Sequence, residues 1–153
     1  MKVTIEVDEA LLEETIVIKC NKLDERILRI QQALIEQASD DLTILLHKNE
    51  KEYYMPLEKI LFFETENKEI RVHTSNDIYE TQYKLYELEE ILPGYFMRIS
   101  KSTIVNLNHI YSITRNLTSA SVVEFNDCHK LVYVSRNYYK ALVERLGEKR
   151  RKI

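Results

Sequence analysis

Two cations and two hydroxyls fall within five positions of this chain: Arg98, Ser100, Lys101 and Ser102. Guanidinium and ammonium groups neutralise phosphate charge, and hydroxyls add directional hydrogen bonds, so this mixture suits phosphate oxygens. In an extended segment starting at Phe96, alternation puts Arg98 and Ser100 on one side and leaves Lys101 facing the other way. A second cluster, Val134-Ser135-Arg136-Asn137-Tyr138-Tyr139-Lys140, places Arg136 and Asn137 in the first turn of an expected helix. Arg is the usual bidentate reader of guanine and Asn can pair with adenine. First-turn N–H groups there also attract a phosphate. Lys68, in Glu66-Asn67-Lys68-Glu69, reads equally as an ordinary hairpin lysine.

Little else in the chain points to chemistry. The histidines (His47, His73, His109, His129) are scattered without metal-ligand spacing. Cys20 and Cys128 form neither a disulfide framework nor a CxxC motif. Cys128 and His129 are adjacent, and neighbours on a strand face opposite ways, which is poor geometry for a nucleophile and its base. No Ser/His/Asp set stands out. The expectation is a non-enzyme with no metal and no cofactor.

The elements that position these residues follow from periodicity. Val3, Ile5 and Val7 alternate with polar residues, and Ile16–Cys20 follows as a second apolar run. Leu23, Ile27, Ile30 and Leu34 then recur at helical spacing, with Asn21 as the expected cap and Asp24 near the helix start. Residues 1–41 are therefore expected to be a β-β-α extension, with its boundary at Ser39-Asp40-Asp41. Short strands are expected at 42–47, 52–56, 60–64, 70–74 and 77–82, rich in β-branched and aromatic residues. Residues 84–92 fit a short helix ended by Pro93-Gly94. Extended patterns resume at 96–99, 104–105, 110–115, 121–126 and 130–134, with Asn126-Asp127 as a turn. A final helix, capped by Ser135, is expected to reach Leu146, with Gly147 closing it and 148–153 as a basic tail. Tyr138 and Tyr139 read as core-filling residues rather than base-stacking ones. The fold class expected is mainly antiparallel β with short helices. No βαβ alternation, Gly-rich phosphate loop or helix-turn-helix signature is present, so a DNA reader of this kind must use loops or strand ends.

Length and charge set the frame. The chain has 153 residues and a net charge of −3, which argues against nucleic acid. The total conceals a gradient. Residues 1–44 carry 5 Lys/Arg and 10 Asp/Glu, residues 45–93 carry 6 and 11, and residues 94–153 carry 11 and 4. The last section, at +7, holds both clusters. No apolar run approaches a membrane span and no signal peptide is evident, so a reducing cytoplasm is expected.

At these residues a resemblance becomes specific. Ile60-Leu61-Phe62-Phe63-Glu64 with Lys68 and Arg71-Val72-His73 resembles the opening of a LytTR DNA-binding domain. Phe96-Met97-Arg98, Ser100-Lys101-Ser102, Ile104-Val105-Asn106 and Ile110 resemble its central motif. Val134-Ser135-Arg136 before a helix resembles its closing motif. Together they cover residues 42–147. The resemblance implies a bacterial transcription regulator that binds double-stranded promoter DNA, puts loops into successive major grooves, and bends the duplex. By position, Asn67 and Lys68 would reach one groove, and Lys101, Arg136 and Asn137 would supply further contacts. Arg98 would brace the central loop, Ser100 and Ser102 would face phosphate, and Asn106 would be structural.

The chain departs from that pattern in places. Many members have histidine at Ser100, and some have a polar base reader at Ile70, which shifts first-groove contact onto Asn67 and Lys68. Many members also carry a phosphorylated receiver domain of roughly 100 residues or more. Only 41 residues precede the match here. The chain resembles the short members without a receiver, some of which are controlled by a separately encoded membrane protein. The partners implied are promoter DNA, a second copy of the chain, and such a membrane inhibitor docking on the extension. The competing reading is a protein-interaction module without DNA function.

Overall fold

The computed structural model describes residues 1–11, 15–38, 42–126 and 128–149. The chain divides into two compact units, Met1–Ile35 and Glu36–Ile153. The expected boundary at Ser39-Asp40-Asp41, the turn residue Asp127 and the tail residues Arg150, Arg151 and Lys152 lie outside the described residues.

The helix α1 (Glu25–Ala38), most of which belongs to the first unit, forms as its 3–4 periodicity requires. Its cap is Asp24, whose carboxylate accepts the Ile27 N–H at 3.0 Å, and not Asn21. Asp24 is better placed because an acidic cap also complements the positive end of the helix. The two strands expected ahead of it do not form. Residues 3–7 and 16–20 carry no regular structure, and Val3, Ile5 and Val7 are over four-fifths exposed. Alternation marks a residue set able to cover one face of a sheet, but an isolated pair of strands is marginal without a third.

The second unit is mainly antiparallel β. Its strands are β1 (Thr43–Lys48), β2 (Lys51–Pro56), β3 (Phe62–Glu66), β4 (Glu69–His73), β5 (Ile78–Thr81), β6 (Phe96–Arg98) and β7 (Thr103–Asn106), then β8 (Ile110–Thr114), β9 (Ser121–Phe125) and β10 (Leu131–Val134). The short helix α2 (Leu85–Ile91) follows β5, and α3 (Arg136–Lys149) closes the chain. Seven strands pair in the order β2-β1-β5-β4-β3-β7-β6, and three more pair as β10-β9-β8.

The central strands explain the layering. Successive strand residues face opposite ways, so the apolar runs Leu61-Phe62-Phe63 and Ile104-Val105 feed two cores at once. Phe63 and Ile104 join Leu46, Val72, Leu85, Leu88 and Tyr95 on the α2 side. Phe62 and Val105 join Val123, Phe125, Val132, Val134 and Leu142 on the side of the smaller sheet and α3.

Capping follows local chemistry. Lys84 N–H donates to the Glu87 carboxylate at 3.0 Å at the start of α2, and Pro93 follows its end. Gly147 does not close α3, which runs on to Lys149, because a glycine lowers helix propensity without breaking the hydrogen-bond ladder. Cys128 and His129 lie in a bend between β9 and β10 rather than on a strand.

Candidate nucleic-acid interface

The hairpin between β3 and β4 has a two-residue tip. Glu66 pairs with Glu69, and Asn67 and Lys68 take φ of 51° and 68°. Two successive left-handed residues give the I′-type turn that matches the twist of paired strands, and Asn is the non-glycine residue that tolerates it best. Lys68 in that conformation is held by the turn rather than by its own preference. Both residues are exposed at the tip. Their surroundings are acidic, since Glu66 and Glu69 face each other directly beneath them.

Ile70 is 6% exposed and belongs to the α2-side core. It therefore points away from solvent, and the hairpin position expected to present a base-reading side chain presents none at residue 70. Its outward neighbour is Arg71, which sequence reasoning had not weighed. Arg71 pairs with Glu80, with Glu69 at 3.3 Å and with Glu66 at 3.9 Å, so its charge is largely answered within the protein.

The central loop, 99–102, is fastened at both sides. Ile99 N–H bonds to the Thr103 carbonyl at 3.0 Å, closing the loop on β7. Thr65 N–H bonds to the Ser102 carbonyl at 2.8 Å, tying the loop to the hairpin stem. Ser135 N–H bonds to the Ile99 carbonyl at 3.0 Å, tying it to the start of α3. Three segments distant in sequence thus form one continuous edge: hairpin, central loop, helix start. The hairpin tip lies two to three residues beyond Thr65, roughly 7–10 Å further out at strand rise.

Within this edge the side chains separate into two groups. Arg98 faces inward to its own loop: Nε donates to the Ser100 carbonyl at 3.0 Å, and its other nitrogens bond the Lys101 carbonyl and the Glu89 carboxylate. Ser100 Oγ accepts the Ser102 N–H at 3.2 Å and lies 3.3 Å from Ser102 Oγ. Lys101, Arg136 and Asn137 are exposed, and neither Lys101 nor Arg136 makes an ion pair among the described residues. Asn106 is fully buried, donating to the Ile60 carbonyl at 2.9 Å and accepting the Asn108 N–H at 3.0 Å. It is a structural residue, pinning the turn after β7 to the segment that leads into β3.

One feature escaped the sequence. The loop 115–120 joins β8 to β9, and its far end, Ser121, pairs with Val134, immediately before α3. Arg115 in this loop sits 5.0 Å over the ring of Tyr139, so it lies beside the helix start. Lys140, one turn after Arg136, is also exposed and shares its helix face. The i,i+4 spacing of Arg136 and Lys140 was a legible signal, but the position of Arg115 depends on strand register. Tyr138 and Tyr139 pack against the core, as expected.

Other basic groups are committed elsewhere. Lys48 pairs with Asp77, which raises the lysine pKa and lowers that of the carboxyl, chiefly through their hydrogen bond. Lys130 donates to the Asp77 carbonyl at 2.9 Å, and burial lowers its pKa. Arg145 bonds the Gly94 carbonyl. The exposed cations left along this edge are Lys68, Lys101, Arg115, Arg136 and Lys140.

The description "LytTr DNA-binding domain" matches residues 50–147. The chain belongs to the LytTR family. A solved LytTr DNA-binding domain of a putative methyl-accepting/DNA response regulator from Bacillus cereus superposes with a TM-score of 0.64 at 27% identity, covering 70% of this chain and 98% of that one. Uncharacterized HTH-type transcriptional regulators of Staphylococcus aureus strains MSSA476 and COL are each 29% identical over 147 residues, spanning 96% of this chain and 99% of theirs. Their names speak of a helix-turn-helix. Among the described residues of this LytTR chain, no two helices are joined by a short turn. No helix among them is long and apolar enough to cross a membrane.

Proposed function

We propose that this LytTR protein is a transcription regulator that binds promoter DNA through the continuous edge formed by the hairpin tip, the central loop and the start of α3. The observation that carries this reading is the hydrogen-bonded chain from Thr65 through Ser102 and Ile99 to Ser135, which presents Lys68, Lys101 and Arg136 from three separate segments. Loops placed this way can enter grooves without a recognition helix.

The charges divide the labour. Lys101, Arg115, Arg136 and Lys140 lie in the basic section and supply phosphate attraction. At the hairpin tip, Glu66 and Glu69 beneath Lys68 are paired with Arg71, so the tip adds little net positive charge. Asn67 and Lys68 therefore contribute discrimination more than affinity. Arg98 acts by holding the loop, and Ser100 and Ser102 set its shape, with Ser102 Oγ near the exposed side. Asn137 stands beside Arg136 as a base or phosphate contact.

The test is binding to the DNA upstream of the protein's own gene over a series of salt concentrations. Lys101→Ala and Arg136→Ala weaken binding by roughly 1–3 kcal/mol each if they touch bases or phosphates. Each lost phosphate contact also flattens the salt slope by about 0.9. Parental binding by both variants would defeat the assignment. Absence of any specific shift with the parent would favour an interaction module instead.

A further inference from the structure

Residues 2–8 hold a strand pattern that no sheet among the described residues takes up. Val3, Ile5 and Val7 are 84%, 86% and 87% exposed, alternating with Lys2, Thr4, Glu6 and Asp8. Scattered apolar residues on a surface need no explanation, but a regular alternation of β-branched ones does. The pattern ends where the chain turns. Leu11 N–H bonds to the Asp8 carbonyl at 3.2 Å, and Ala10 N–H to the Asp8 carboxylate at 2.9 Å. The backbone N–H and C=O groups from 2 to 7 make no hydrogen bond among the described residues, so they are free to pair with another strand.

We propose that residues 2–8 pair antiparallel with the same segment of a second copy of this chain, about a twofold axis at Ile5. The sequence of the segment favours itself as partner. In that register Ile5 meets the partner's Ile5, and Val3 meets the partner's Val7. Lys2 meets the partner's Asp8, and Thr4 meets the partner's Glu6. All three β-branched residues fall on one face and oppose one another, the pairing that stabilises sheets best. The other face places opposite charges across from each other at both ends, which offsets the repulsion expected between two acidic units. Twofold symmetry makes each off-axis contact occur twice, while Ile5 meets its own copy once on the axis. A register centred one residue earlier would set Val7 against the partner's Met1, losing a β-branched pair. The adjacent apolar run Ile16–Cys20 can extend the sheet to four strands, past the number at which strand pairs become stable. This pairing is independent of the DNA reading, because it uses none of the residues of that edge.

The experiment is light scattering on the full chain at tens of micromolar, which should report twice the 18.3 kDa of one copy. Asp8→Lys sets lysine against lysine at both ends and should weaken the dimer by roughly tenfold or more. Adding Lys2→Asp to that variant should restore it. In a Cys20→Ser/Cys128→Ser background, Ile5→Cys should oxidise to a linked dimer while Thr4→Cys should not. Far-UV circular dichroism checks that the variants keep the parental fold. A monomeric mass for the parent would overturn the proposal. So would a dimer indifferent to Asp8→Lys, or cross-linking through Thr4→Cys in place of Ile5→Cys. Dissociation by Asp8→Lys without rescue by the charge-swapped double variant would also count against it, since pairing of Lys2 with Asp8 would then not be the cause.

Discussion

Arg98 offers the sharpest separation between holding a loop and touching DNA. Its guanidinium makes three hydrogen bonds, to the carbonyls of Ser100 and Lys101 and to Glu89, with the side chain 24% exposed and that of Glu89 43% exposed. Charge-assisted bonds of this kind contribute roughly 1.5–3 kcal/mol each when buried, and the Glu89 pair is discounted heavily for solvent. Replacing Arg98 by Lys keeps the charge but loses the planar fork that reaches three acceptors at once. We expect a stability loss of about 1–3 kcal/mol. The larger effect falls on the loop. Released from its brace, the loop must be reordered on binding, at about 1–2 kcal/mol per residue fixed. One or two such residues weaken DNA affinity by roughly tenfold to a hundredfold. The salt slope stays parental, because no phosphate contact is lost. The assay is fluorescence anisotropy on a promoter fragment at several salt concentrations, comparing Arg98→Lys, Arg98→Met and Lys101→Ala. If Arg98→Lys bound like the parent while Arg98→Met flattened the slope by about 0.9, Arg98 would be a phosphate contact and the bracing argument would fail.

Other perturbations test neighbouring parts. Lys68→Gly replaces a left-handed lysine with the residue that I′ turns prefer, so it should stabilise the fold by about 1 kcal/mol in thermal melts while altering DNA preference; a neutral or lower melting point would contradict the turn assignment. Asn106→Ala strips a donor from the buried Ile60 carbonyl and an acceptor from Asn108, so urea unfolding should show a loss of about 3 kcal/mol, and a loss under 1 would mean the site relaxes. His73 stacks on Phe62 with ring centroids 4.2 Å apart, and burial, with Lys130 and Arg71 nearby, lowers its pKa to about 4. Its folded value lies below the unfolded one, so its contribution is complete above about pH 6.5 and is lost as pH falls toward 4, by as much as ~3 kcal/mol. Glu64, whose carboxyl pKa is raised by burial, binds a proton more readily folded than unfolded, which offsets part of that loss. His73→Phe should remove most of the slope in this window; parallel slopes for the two proteins would show that other groups cause it.

The strand and helix positions of residues 42–147 were legible because short-range signals agreed with one another. Period-2 alternation, the proline and glycine after α2, and the cationic clusters all point the same way without knowledge of partners. The family was legible for the same reason, since its motifs are local and ordered along the chain. Three matters were decided only by tertiary structure. Residues 3–7 have as good a strand pattern as many that formed, but strand formation needs a neighbour, and a pattern does not name one. Ile70 is core and Arg71 is outward because strand residues alternate between faces, and only the packing of α2 and β1 decides which face is buried. Arg98 and Arg115 look alike in sequence as exposed cations, yet one is held by two carbonyls and a carboxylate while the other stands over Tyr139 beside the start of α3. Sequence by itself determined which residues carry charge and which segments are able to extend or coil, because those depend on side-chain chemistry and spacing alone. The tertiary structure decided which charges are already answered and which three loops share one edge, because both depend on contacts between residues far apart in the chain.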